Sequence, residues 1–243
     1  MTGSTPQQRF DGKCAVVTGV GRAGQVGEVV AKEFAARGAA VAIIDRDGAS
    51  AELLAAAMRT EGLAVTAYGC DLTDAAATTE TFAKIAAANG GHIDALANVA
   101  GGFAMSGPVA ESDPSVFQRQ LAINLGSAYG ATRACIPFMR ASGGGIVFMA
   151  AAAILPGGKL AGMAGYAASK AGVTALMRAV AQEERTNGIR ANALAPTAIR
   201  TGVNLDSMGD KFAYVERESV AGVIAFLCSG EAVNITGQVI ELA

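Results

Sequence analysis

The chain has 243 residues, 51% hydrophobic and only 16% charged, which allows one large domain or two small ones and excludes a disordered solvating chain. Nineteen Lys and Arg against 21 Asp and Glu leave a net charge of −2, too neutral for nucleic acid or an anionic membrane to be the main partner. The single histidine, His92, rules out chemistry that needs two, including a zinc hydrolase of the H-E-x-x-H type.

The polar stretch Met1 to Gln8 lacks the apolar core of a signal peptide and opens an arm assigned to residues 1–10. "CAVVT" then reads as a short, continuously apolar strand of the kind covered on both faces. A glycine-rich loop, Gly19 to Gly27, leads into a helix with Val26, Val30 and Phe34 spaced by four, ended by Gly38. Ala40 to Asp45 is a second strand, 49–61 a helix, 64–71 a strand, 74–90 a helix, and "IDALANVAGG" brings the fourth strand. A helix is expected through 117–139, a strand at 146–150, a helix at 165–187, a strand at 190–195, a helix near 219–228 and a last strand at 237–242. This alternation predicts an α/β fold: one Rossmann-type, doubly wound parallel sheet with helices on both faces, over residues 11–243. The longest apolar run, Ile146 to Leu155, is too short to span a bilayer. Cys14, Cys70, Cys135 and Cys228 form no C-x-x-C pair, so reduced, mostly buried thiols in a cytoplasmic protein are expected, and no metal site.

"TGVGRAGQVG" sets Gly19, Gly21, Gly24 and Gly27 between a strand and a helix. Glycine there permits a tight turn with positive φ and lets backbone approach a pyrophosphate, which the helix N-terminus attracts. Asp45 ends the second strand, where a carboxylate accepts from both ribose hydroxyls of an adenosine and repels a 2′-phosphate. Arg22 and Arg46 stand near enough in sequence to soften that repulsion. NAD is therefore expected in preference to NADP. In "YAASK", Tyr166 and Lys170 are i and i+4 on one helix face, and an ammonium beside a phenol lowers its pKa, making a tuned proton donor for a carbonyl that receives hydride.

From about Gly12 to Leu242 the sequence resembles the short-chain dehydrogenase/reductase family. The matching motifs come in order: the glycine loop, Asp45, "CDLTD", "LANVAGG" with Val99 in place of a second Asn, "INLGS", "YAASK", "RANALAPTAIRT" and "ITGQVIEL". The resemblance implies that Tyr166 donates or accepts the proton, Lys170 lowers its pKa and holds the nicotinamide ribose, and Asn124 anchors a water in the relay. It also implies cofactor contacts from Val26, Asp71, Leu72, Asn98, Ala100 and Gly101, with Pro196, Ile199 and Thr201 on the nicotinamide side. Family members assemble as homodimers or homotetramers through the helices that carry Asn124 and Tyr166. The small residues Ala167, Ala168, Ala171 and Ala175 suit such close approach.

Three features depart from the family. Its catalytic Ser is missing: counting from the strand gives Ala151, counting back from Tyr166 gives Ala153, and no Ser or Thr lies between Met149 and Tyr166. The glycine loop is two residues longer than usual, with Gln25 where a middle glycine belongs, a length that resembles bacterial enoyl reductases. The last strand lacks a following Asp-Gly-Gly and the segment between Thr201 and Ser219 is short, so an open or partly disordered pocket is expected. The sequence thus predicts hydride transfer between NAD(H) and a secondary alcohol or ketone. A non-catalytic dinucleotide-binding scaffold or sensor and a C=C reductase are the alternatives.

Overall fold

The computed structural model describes residues 9–243, so Met1 to Gln8, most of the polar arm, lies outside the described residues. Seven strands form one parallel sheet: β1 (Cys14–Thr18), β2 (Ala40–Asp45), β3 (Val65–Gly69), β4 (Ala95–Asn98), β5 (Gly144–Met149), β6 (Ile189–Pro196) and β7 (Val239–Leu242). Their order is β3-β2-β1-β4-β5-β6-β7. A parallel pair cannot be closed by a hairpin, so helices make the crossovers. They are α1 (Val26–Ala36), α2 (Gly48–Thr60), α3 (Ala75–Ala88), α4 (Pro114–Gln120), α5 (Ser127–Met139), α6 (Ala164–Glu183), α7 (Gly202–Met208) and α8 (Arg217–Cys228).

Consecutive strand residues serve opposite cores, as the two-residue period of a strand requires. Ala15, Val17, Val41 and Ile43 pack with Val30 and Phe34 of α1, Ala55 and Met58 of α2, and Ile224 of α8. Cys14, Val16, Ala42 and Ile44 pack with Phe82 and Ile85 of α3, Cys135 of α5 and Met177 of α6. The expected fold class is therefore observed, with all four cysteines free and buried. Among the described residues no helix is long and apolar enough to cross a membrane.

Local chemistry sets the helix ends. Asp47, Asp74 and Asp113 cap α2, α3 and α4 by accepting from first-turn N–H groups. Gly38, at φ +99°, stands just past α1 in the left-handed region that favours glycine. Three elements differ from expectation. The helix expected to run to 187 ends at Glu183 and is followed by a 3-10 turn, Arg185–Asn187. The helix expected from 117 begins at Pro114 and passes through a π-helical segment, Leu121–Gly126, before α5. The segment after Thr201, expected only to be short, folds into α7 and returns through a parallel bridge between Ile199 and Val215. Thr201 starts α7 by accepting from Asn204 N–H, a cap signal overlooked in a short, weakly periodic stretch.

Candidate active site

The strand order reverses between β1 and β4, both of which pair with other neighbours on their far sides. Loops diverge from the C-terminal edge at such a point and leave a crevice. At its floor, the Thr18 hydroxyl accepts from the N–H groups of Val99 and Ala100, both at 3.1 Å. Gly19, at φ +76°, presses on the same loop: a Cβ there would stand 2.6 Å from Ala100 Cα. At Gly21 a Cβ would lie 2.5 Å from the Asp45 carboxyl carbon, so the end of β2 abuts the glycine loop. At Gly27 it would lie 2.5 Å from Gly19 carbonyl oxygen, which lets α1 start hard against the loop.

The two extra loop residues are accommodated at Gly24. Its φ is +72°, its N–H donates to Glu28 Oε2 at 2.6 Å, and its carbonyl accepts from Arg217 Nη1 at 2.6 Å. Gln25 has an ordinary extended backbone, φ −102° and ψ 168°, so no glycine is needed there. The side chain of Gln25 makes no cap hydrogen bond to α1, unlike the aspartates at α2 to α4. Val26 and Gly27 are buried in the first turn that follows.

On the other side of the crevice, Asp45 Oδ1 accepts from Asp47 N–H at 3.0 Å. Arg22 and Arg46 are exposed nearby in sequence. The Thr73 hydroxyl and amide hold the Asp71 carboxyl below its usual range, with Arg46 contributing. Leu72 is buried, and its carbonyl stands 2.5 Å from where a Cβ on Gly130 of α5 would be. Asn98, at the end of β4, donates to Thr132 Oγ1 at 3.0 Å.

The second cluster joins three elements. Asn124, in the π segment, is buried; its Nδ2 donates to Gly102 and Gln120 carbonyls and its Oδ1 accepts from Gly102 N–H. A Cβ on Gly101 would lie 2.5 Å from Asn124 Oδ1 and 3.6 Å from Lys170 Nζ, so Gly101 lies between them. Lys170 Nζ donates to Met149 carbonyl at 2.7 Å, at the end of β5. The Tyr166 ring meets the edge of Phe103 at 5.0 Å and has Lys170 Nζ 5.8 Å from its centroid. Ala151 is buried and extended just beyond β5, whereas Ala153 sits half-buried in the 3-10 turn that follows.

The expected electrostatics need correction. Burial pushes the Tyr166 phenol up to about 12, rather than letting Lys170 lower it. Burial also brings the Lys170 ammonium down to about 8. The ammonium is turned to Met149 carbonyl, and burial alone sets the direction of both shifts.

A dinucleotide fits this crevice. Gly19, Gly21 and Gly101 keep the loops packed closely at its edge, where a Cβ would run into Ala100, Asp45 and Asn124, and α1 offers its N-terminus without a side-chain cap. A family model described as short chain dehydrogenase matches residues 13–210. The chain belongs to the short-chain dehydrogenase/reductase family. A D-threitol dehydrogenase of Mycolicibacterium smegmatis is 34% identical over 94% of this chain and 90% of its own length. A gluconate 5-dehydrogenase from Burkholderia cenocepacia, solved with NADP and tartrate, superposes with a TM-score of 0.88 at 26% identity, covering 97% of this chain and 95% of that one. A 7α-hydroxysteroid dehydrogenase complexed with NADH and 7-oxo glycochenodeoxycholic acid gives 0.87 at 28% identity, covering 97% of this chain and 94% of that one.

Within this oxidoreductase fold, Pro196 and Thr201 are buried and Ile199 half-buried at the end of β6 and the turn to α7. Several residues of the crevice escaped the sequence reading. Thr18 precedes the glycines with no periodic signal, Met149 contributes only a carbonyl, and Arg217 reaches the loop across 193 residues of sequence. Phe103 carries no motif signal, but its ring makes a specific edge contact with Tyr166.

Proposed function

We propose that the protein transfers hydride between NAD(H) and a secondary alcohol or ketone, with Tyr166 as acid and base. The observation that carries this reading is the cluster at the crevice in which Gly101 lies between Asn124 and Lys170, and Lys170 lies beside the Tyr166 ring. Bound nicotinamide supplies or accepts the hydride. Gly19, Gly21, Gly24, Val26, Gly27, Ala100 and Gly101 line its path, Asp45 and Asp71 hold the adenosine end, and Pro196, Ile199 and Thr201 flank the nicotinamide side. NAD is preferred over NADP because Asp45 abuts the loop where a 2′-phosphate would have to lie.

A phenol raised to about 12 carries its proton at neutral pH, so Tyr166 is loaded to protonate the alkoxide formed in ketone reduction. Lys170, near 8, is mostly charged at neutral pH and steadies negative charge as the phenol gives up its proton. Asn124 fixes the Gly102 peptide at the mouth of this relay. Ala151 takes the place of the missing Ser, since it emerges directly from β5, so Tyr166 works without a second hydroxyl from this strand.

Following NADH at 340 nm against a panel of ketones tests the reading. Tyr166→Phe should abolish turnover while leaving NADH binding intact; equal turnover in the two proteins would sink the assignment. The lost hydroxyl favours one rival, a non-catalytic dinucleotide-binding sensor, which predicts NADH binding with no turnover on any carbonyl. We also propose a cytoplasmic homodimer or homotetramer, supported by the free cysteines and by the apolar groove of Leu121, Leu125, Tyr129 and Leu176.

A further inference from the structure

The walls around Tyr166 bear on what kind of molecule brings its carbonyl there. Two loops enclose the phenol side. Residues 101–108, after β4, contain Ser106 as their only polar side chain, and residues 150–163, after β5, contain only Lys159. The Ser106 hydroxyl is already engaged, donating to Gly162 carbonyl at 3.2 Å and so tying one wall to the other. Lys159 is exposed.

The remaining surface is hydrocarbon left open to water. Phe103 and Met105 are 59% and 56% exposed, and Leu160 is 45% exposed. Phe103 stands edge-on to the Tyr166 ring, and Met105 Cε would be 2.9 Å from a Cβ on Gly162. Thus the exposed apolar groups of the first loop lie against the phenol and against the second loop. The polar groups leading into α7 are committed internally. Arg200 pairs with Glu216 and lies over the Tyr214 ring, Asn204 Nδ2 donates to Ile199 carbonyl, and Thr201 caps Asn204. Exposed apolar side chains gathered around a concave site mark it for an apolar ligand.

We infer that the substrate is an apolar ketone or secondary alcohol whose reacting oxygen is its one polar group inside the crevice. Its hydrocarbon body, a fused ring system or a long chain, lies along Phe103, Met105 and Leu160. A polyol or sugar acid is disfavoured, because each further hydroxyl would leave water and meet mostly apolar walls, whose one polar side chain besides the engaged Ser106 is the exposed Lys159. The inference rests on the oxidoreductase reading for its chemistry, though not for the character of the walls.

Two probes separate the possibilities: trans-1-decalone and the polyhydroxy ketone erythrulose. Their binding is measured by calorimetry with and without saturating NADH, and their reduction at 340 nm. Decalone should bind or turn over roughly 100-fold better. Phe103→Asn should weaken decalone binding about tenfold while leaving the NADH Kd and the Tm unchanged. Erythrulose binding as well as decalone, neither binding measurably, or an unchanged decalone Kd in Phe103→Asn would each overturn the inference. Failure of NADH to bind would instead count against the oxidoreductase reading, and the preference measured without NADH would still decide the substrate class.

Discussion

Ala151 follows β5 in extended conformation, φ −155° and ψ 141°, and is buried beside the strand that presents Met149 to Lys170. A hydroxyl at this position would add a second donor for the substrate oxygen. Restoring such a donor is worth ~3–4 kcal/mol, or ~10²–10³ in kcat. Ala151→Ser is therefore expected to raise ketone-reduction kcat by that order, and Ala153→Ser to leave it unchanged. The reverse pattern would assign the missing Ser to position 153. The absence itself was legible in sequence, because it needed only the residue types between Met149 and Tyr166. The choice between the two alanines was not, because two extra residues between strand and helix spoil the count.

Lys170 gives a second test at this scale. Burial lowers its pKa from 10.5 to about 8, so the unfolded chain holds this proton more firmly than the folded one. The resulting penalty is full below pH 8, about 3 kcal/mol from linkage, and is relieved as pH rises toward 10.5. Lys170→Met escapes the penalty but loses the bond to Met149 carbonyl at every pH. The Tm of Lys170→Met relative to the parent should accordingly be more favourable at pH 7 than at pH 10. A difference independent of pH would show that the ammonium is not desolvated. The i, i+4 spacing revealed the Tyr166–Lys170 pairing, but burial, which set the direction of both shifts, is a property of the packed fold.

At the scale of elements, the alternation of short apolar runs with longer amphipathic ones made the sheet and its helices readable. Sharp strand ends such as Asp45 matched because a charge or glycine follows an unbroken apolar run. The π segment was not readable. Its residues, "LAINLG", continue an ordinary helical pattern, and only the packing around Asn124 shows the altered turn. Nor was the way the long glycine loop is held. Arg217, the first residue of α8, lies two residues beyond Val215, whose bridge to Ile199 fixes the turn between β6 and α7. One guanidinium thus ties that turn to the Gly24 peptide, which Glu28 holds from its other side. Arg217→Met should weaken NADH binding about tenfold, the ~1.5 kcal/mol of one hydrogen bond to a charged group, and Arg217→Lys should restore part of it. Fluorescence titration with NADH measures this, with kcat at saturating NADH unchanged. An unchanged Kd would mean that Gly24 holds its conformation unaided.

For the whole molecule, the outer surface of the catalytic elements bears on assembly. Ala168, Ala171 and Ala175 are exposed along one side of α6, whereas Ala167 turns into the protein and is buried. Beside them run Leu121, Leu125, Tyr129 and Leu176, with Tyr129 55% exposed. Leu125 comes so close to α6 that a Cβ on Gly172 would meet its Cδ2 at 2.7 Å. The π segment and α6 are thereby locked together, and their joint outer face is small and apolar, which permits helices of a second copy to approach closely. The π segment carries Asn124 and α6 carries Tyr166 and Lys170, so a partner on this face would stiffen the proposed relay from behind. Ala171→Arg places a charge in the middle of that face without touching the crevice. Light scattering on the eluting protein should show the parent as a dimer or tetramer and Ala171→Arg as a monomer, with a lower kcat and a nearly unchanged NADH Kd. A parent that elutes as a monomer, or a variant that keeps its assembly, would move the contact to another surface.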